Sequence, residues 1–253
     1  MRAATSLLLV ICTGCAWQAV RPPASMALAN LAAASRQSAP QVNRFTADLD
    51  VTSMGPEGRR RGLVTLAVER PSRLAYQLVG PQGGLIEAFA TNGVEMQLYH
   101  AATGQFLYGP ATPANLDRFL GRIPVHFSAQ RWVQLFFGEV DFPQTATAHW
   151  DASVGRVVLE WGEQALTNRA ELEPESLRPM RGQVLSGGHV ISDVQIEQRD
   201  STGLPQLLRL EIPDEHLSVV TRLKDITKDP ALEDSTFVLS PPPGATTEYL
   251  DGP

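Results

Sequence analysis

From Arg44 onward the chain alternates apolar and polar side chains with a period of two. Phe45, Ala47, Leu49 and Val51 fall on one side and Thr46, Asp48, Asp50 and Thr52 on the other, the pattern of a strand buried on one face. The turn-forming run Met54-Gly55-Pro56-Glu57-Gly58 separates it from a second alternation through Val64, Leu66 and Val68, which Pro71 ends. A third strand carries Leu74, Tyr76 and Leu78 and leads into Gly80-Pro81-Gln82-Gly83-Gly84; a fourth runs from Ile86 to Ala90. Asn92-Gly93 is a two-residue hairpin signal. The fifth strand, with Val94, Met96 and Leu98, ends near His100, and a sixth with Phe106 and Tyr108 opens after Gly104. Short strands joined by turns in this way predict an antiparallel meander.

Two helices interrupt it. Thr112 is an N-cap with Pro113 at the first helical position and Gly121 at the close. Ser128 caps the next, which runs to Gly138 with Trp132, Leu135 and Phe136 on one face. Strands then resume: residues 146–150 against 157–161, 190–199 against 206–212, and an alternation over 217–223. Phe237-Val238-Leu239 precedes Pro241-Pro242-Pro243-Gly244. Residues 163–188 carry no clear period and are expected to form a long loop. The predicted class is mainly β (α+β): one antiparallel sheet with a helical insert.

Before the first strand the pattern is different. Met1-Arg2 is followed by an apolar run from Ala3 to Ile11 and then by Cys12-Thr13-Gly14-Cys15, the order of a secretory signal. The run falls well short of the roughly 20 residues that span a bilayer as a helix. Its ending, Gly14-Cys15, resembles the lipobox of bacterial lipoproteins, in which the chain is cut before the cysteine and the cysteine is acylated. Cys12 stands where that class usually has Leu. The resemblance implies a signal over residues 1–14, a lipidated Cys15 and, because Ala16 rather than Asp follows, sorting to the outer membrane on its periplasmic side. Two or more acyl chains give a lasting anchor where one does not. Residues 15–42, rich in Ala, Ser and Pro, form the tether; within them 26–36 is either a short amphipathic helix or a flexible spacer. Residues 43–253 form the folded domain.

Composition narrows the function classes. The 253 residues are 43% hydrophobic and 19% charged, enough for a sizeable core. A net charge of −6 argues against a broad nucleic-acid footprint. With both cysteines at the amino terminus, no disulfide framework is available to the domain. His100, His126, His149, His189 and His216 never recur at the spacing of three or four that places two ligands on one helix face. No Gly-x-Ser-x-Gly elbow or phosphate loop occurs, and Ser186 before Gly187-Gly188 is a glycine turn. Glu171, Glu173 and Glu175 are close enough in sequence for a glycosidase-type pair, but Glu-Leu-Glu-Pro-Glu-Ser reads better as a solvated acidic loop. No enzyme, metal or cofactor is expected.

Asp117-Arg118-Phe119-Leu120-Gly121-Arg122-Ile123-Pro124, followed by Gln130-Arg131-Trp132-Val133-Gln134-Leu135-Phe136-Phe137-Gly138, resembles the LolA/LolB family of periplasmic lipoprotein carriers and outer-membrane receptors. There a helix, a Gly/Pro connection and a Trp-containing helix follow in this order. Gly80-Pro81-Gln82-Gly83 is similar to a loop of the same family, and the anchor puts the chain nearer LolB. The resemblance implies a curved, unclosed antiparallel barrel with a helical lid, whose apolar concave face holds acyl chains. The residues it points to are Phe45, Leu49, Val64, Leu66, Leu74, Tyr76, Leu78, Met96 and Leu98 on strands, with Trp132 and Phe136 on the lid; each is also an ordinary core candidate. Gln82 stands where LolB projects a bulky apolar residue from a membrane-facing loop, and Leu85 lies three residues on. The implied partners are lipid or an acylated lipoprotein, the membrane and a periplasmic carrier; the alternative is a non-enzymatic envelope scaffold that holds protein partners. Replacing Cys15 with Ala should release the protein from membranes into the soluble fraction; pelleting with outer membrane to the wild-type extent would contradict the anchor.

Overall fold

The computed structural model describes residues 20–120, 127–163 and 165–251. The leader, Cys12, Cys15, Gly121 and the connection through Pro124 lie outside the described residues. Helix α1 (Leu28–Ser38) comes first, so the helical alternative for this segment is the one adopted. The meander follows as expected: β1 (Arg44–Gly55), β2 (Gly58–Glu69), β3 (Arg73–Val79), β4 (Leu85–Thr91), β5 (Glu95–His100) and β6 (Gln105–Pro110). Helices α2 (Pro113–Leu120) and α3 (Ala129–Phe137) interrupt it. Then come β7 (Thr147–Asp151), β8 (Arg156–Glu163), β9 (Leu166–Leu172), β10 (Pro179–Ser186), β11 (His189–Arg199), β12 (Pro205–Ile212), β13 (Leu217–Lys228) and β14 (Thr246–Tyr249).

These strands form one sheet in the order β14-β6-β5-β4-β3-β2-β1-β13-β12-β11-β10-β9-β8-β7. Each pairing is antiparallel except β14 with β6. β7 and β14 end the order without meeting, so the sheet is an unclosed barrel. The pairing of β1 with β13, from Phe45↔Lys228 to Met54↔Ser218, joins the two halves.

Residues 163–188 are not a long loop. They contain β9 and β10, paired from Leu166↔Ser186 to Leu172↔Pro179. Alternation fails to reveal them because charge is buried there. Directly opposed residues share a face, which puts Ala170, Gly182, Val184, Val194 and Ser192 on the inner side and Arg169, Glu171, Arg181 and Asp193 on the outer. Glu171 and Asp193 are buried between guanidinium groups: Arg181 Nε donates to Asp193 Oδ1 at 2.9 Å, Arg181 Nη1 lies 3.6 Å from Glu171, and Arg156 Nε 3.8 Å from it. Glu171 is therefore no member of a solvated acidic loop, whereas Glu173 and Glu175 are exposed. Paired buried charges look polar in sequence and sit where a hydrophobic pattern would be sought.

The helices lie on the concave face. Ser128 Oγ accepts from the Arg131 amide and Gly138, at φ 66°, closes α3 with its N–H on the Gln134 and Leu135 carbonyls. The buried stripe of α3 is Ala129, Trp132, Val133 and Phe137; Leu135 and Phe136 are only half-buried, so the helix is rotated from the expected face. Phe137 meets Phe45 edge-on at 5.2 Å between ring centroids. Around this pair one cluster gathers Leu49, Leu66, Leu74, Phe89, Met96, Leu98, Leu116 and Trp132 with Val184, Ile196 and Leu208 of the far half. A second cluster joins Leu31 of α1 to Val157, Leu159, Trp161, Ala170 and Leu172. Thus α3 covers the β1–β6 half, α1 covers the far end, and the trough between them is left to line with other residues. Phe45→Ala, at a fully buried ring, should cost about 3–5 kcal/mol, read as a lowered denaturant midpoint with an unchanged slope.

Candidate functional site

Among the residues expected to line a cavity, Phe45, Leu49, Leu66, Leu74, Met96, Leu98 and Trp132 are buried in the first cluster, with Val64, Tyr76 and Phe136 packed on it and Leu78 half-buried. The structure brings them together as a packed body under α3, and they do not line the two clefts described next. The Tyr76 ring stacks on Phe89 at 5.6 Å, and its hydroxyl donates to Glu87, whose other oxygen lies 2.9 Å from His100 Nδ1. Burial, then the Glu87 charge, pushes the Tyr76 phenol well above its usual pKa.

Open space lies on the other flank of α3. A slot of about 110 Å³ runs between α3 and β8–β11, walled by Phe127, Leu135, Val140, Trp161, Ala170, Val184, Val194 and Ile196. Sequence supplied the means to see part of it: Ser192, Val194 and Ile196 alternate on β11, opposite Gly182 and Val184. Gly182 meets nothing within 4 Å of where a Cβ would stand, so the floor is low at that point. Outside the slot a wider polar cleft of about 1060 Å³ is bounded by α1 (Leu28, Ala32, Arg36), α3 (Gln130, Arg131, Gln134) and residues 141–145. Arg131, Gln134, Asp141 and Trp161 border both spaces.

Helix α3 makes this division because its residues point two ways. Trp132, Val133 and Phe137 enter the core, while Arg131, Gln134 and Leu135, spaced at i, i+3 and i+4, face the slot. Arg131 Nη2 reaches Glu163 Oε2 at the end of β8, 2.7 Å away, across the mouth; its guanidinium also stands 5.9 Å over the Phe127 ring. Trp161 is 8% exposed, and its indole Nε1 is buried without a hydrogen-bond partner.

The carboxyl end of α3 is fixed by two arginines. Arg70 lies 4.0 Å over the Phe137 ring and pairs with Glu139. Burial raises the Glu139 pKa, opposed by Arg70 and Arg199. Arg199 donates to the Gly203 carbonyl at 2.7 Å, the Gly138 carbonyl at 3.2 Å and the Pro179 carbonyl. Desolvation first, and Arg178 next, lower its pKa to about 10. A Cβ on Gly138 would stand 2.3 Å from Arg199 Nη1, so glycine serves both the left-handed turn and this contact.

At the opposite rim, Gln82 and Leu85 are exposed. The loop is braced by Gly83 N–H to Gly80 O and Gly80 N–H to Gly84 O, both 2.9 Å. Leu85 pairs with Val79 and Val79 with Leu63, so an apolar row crosses three strands on the outer face. Exposed Arg59 and Arg61 share that face of β2. Among the described residues no group of three His, Cys, Asp or Glu side chains is placed to hold a metal, and no helix is long and apolar enough to cross a membrane.

The fold is LolA-like. A LolA-superfamily protein from Nitrosomonas europaea superposes with a TM-score of 0.58 at 12% identity, over 85% of this chain and 99% of its own. A domain described as an outer-membrane lipoprotein-sorting protein from Vibrio parahaemolyticus gives 0.59 at 12% identity, over 82% and 94%. A DUF1329-family protein from Desulfovibrio piger gives 0.58 at 12%, over 83% and 95%. The sequence matches no family model and no curated protein.

Arg199→Met should cost about 2–4 kcal/mol through carbonyls left without a charged donor. Amide exchange should speed up in α3 before the β1–β6 half; uniform acceleration would contradict this clamp.

Proposed function

We propose that the protein is a non-enzymatic, lipid-anchored envelope protein that holds acyl chains of lipid or lipoprotein on the concave face of its sheet. The observation that carries this is the apolar slot left uncovered between α3 and β8–β11. Hydrocarbon gains about 0.8 kcal/mol for each methylene removed from water, so such a surface supplies affinity without catalytic groups. The LolA-like fold supports the same reading, since one neighbour is described as a lipoprotein-sorting domain. Anchoring through Cys15 would hold the trough at the outer membrane, where it would receive its cargo from a periplasmic carrier. Met26 and helix α1 pack on the far end of the sheet, so the tether would be the chain that precedes them. The Gln82–Leu85 rim would face the bilayer, with Leu85 and Leu63 (40% and 58% exposed) meeting acyl chains and Arg59 and Arg61 meeting phosphates.

Native mass spectrometry of the soluble domain lacking Cys15 should show bound lipid or acyl peptide in addition to the bare chain. A stoichiometric protein partner with no lipid would instead favour the envelope-scaffold alternative and contradict the lipid-binding reading.

A further inference from the structure

We infer that the ligand of the α3 slot is a single-chain amphiphile with an anionic head group, held by Arg131 in place of Glu163. The inference rests on the lipid-binding reading above and deepens it. The slot and the polar cleft meet at Arg131, Gln134, Asp141 and Trp161. An amphiphile needs this arrangement: an apolar end, and a polar mouth where its head can stay hydrated. A void of about 110 Å³ holds about four groups of water size, at about 30 Å³ each. The slot as it stands therefore accepts about four carbons of a chain whose head stays at Arg131, and a longer chain widens the slot between α3 and β8–β11 as it enters.

The charges at the mouth select the head. Arg131 is the guanidinium bordering both spaces, and its present partner, Glu163, is 47% exposed at its side chain. A pair this open to water contributes little, so an incoming carboxylate or phosphate replaces Glu163 at small cost and forms a forked, charge-assisted contact. Arg36 of α1, which has no carboxylate partner among the described residues, faces the same cleft. Asp141 also borders it and Glu139 borders the slot, which disfavours a second negative charge deeper in. The Trp161 side chain, which borders both spaces, offers an apolar wall next to the head. The occupant is thus a fatty-acid carboxylate or a lysophospholipid phosphate, chemistry that the Phe45–Met96 side of the trough does not offer.

The test compares palmitate, lysophosphatidylglycerol and neutral monopalmitoylglycerol, below their aggregation concentrations, by quenching of tryptophan fluorescence in the folded domain. The wild-type protein should bind both anionic ligands about tenfold tighter than the neutral one, and preference between the two identifies the head. Arg131→Gln should remove that gap while keeping neutral binding, and Glu163→Gln, at an exposed position, should widen it. Thermal melts of both variants establish that they are folded. Equal binding of all three ligands to the wild type, or an unchanged gap in Arg131→Gln, overturns the inference and leaves the lipid-binding reading standing. Failure of all three to bind overturns the inference as well, and the native mass spectrum decides the lipid-binding reading separately.

Discussion

Phe137 of α3 stands edge-on against Phe45 of β1, and this seat determines what the rest of the trough is able to do. A strongly curved sheet of this size has more apolar concave surface than one short helix covers. By docking on the β1–β6 half, α3 converts that half into solid core. Among the described residues an apolar slot remains over β8–β11, and α1 borders the wider cleft outside it. Arg70 and Arg199 keep the seat from sliding: one lies on the Phe137 ring, the other holds three carbonyls around the helix end. Both positive charges sit where a helix carries excess negative potential.

The position of the helix gives the slot its chemistry. Rotating α3 so that Val133 and Phe137 go inward leaves Arg131, Gln134 and Leu135 on the flank that overlooks the strip. One nine-residue helix thereby supplies core packing, an apolar wall and a cation at the mouth. On the sheet side, small residues keep the floor low at Gly182 and Ala170, while Arg181 pairs with Asp193 and Glu171 on the other face of the same strands. The result is an apolar slot whose mouth carries the Arg131–Glu163 pair.

Much of the fold was legible in the residues. The period-two runs of β1–β6, the Asn92-Gly93 turn, and the caps Thr112, Ser128 and Gly138 are local signals, and local signals survive in a sequence. The resemblance around Trp132 pointed to the lid. What escaped was non-local. β9 and β10 hid because Arg169, Glu171 and Arg181 are paired across strands, a compensation that no hydropathy window contains. The α3 face was off by part of a turn because Leu135 and Phe136 are as apolar as Val133 and Phe137, and only the Phe45 ring decides between them. The slot escaped for both reasons at once: the middle of its floor lies on β9 and β10, and its roof lies on the α3 flank that carries Arg131, Gln134 and Leu135. Phe45, Met96 and Leu98 lie on the concave face, in the cluster that α3 covers.

The most direct measurement of where the hydrocarbon lies is photo-crosslinking with palmitate carrying a diazirine at its methyl end, followed by peptide mapping. Label is expected on β10–β11, at Val184, Val194 or Ile196, and on Leu135 of α3. Label concentrated on Phe45, Leu66, Met96 or Leu98 would contradict it, because the chain would then enter the half of the trough that α3 is held to fill.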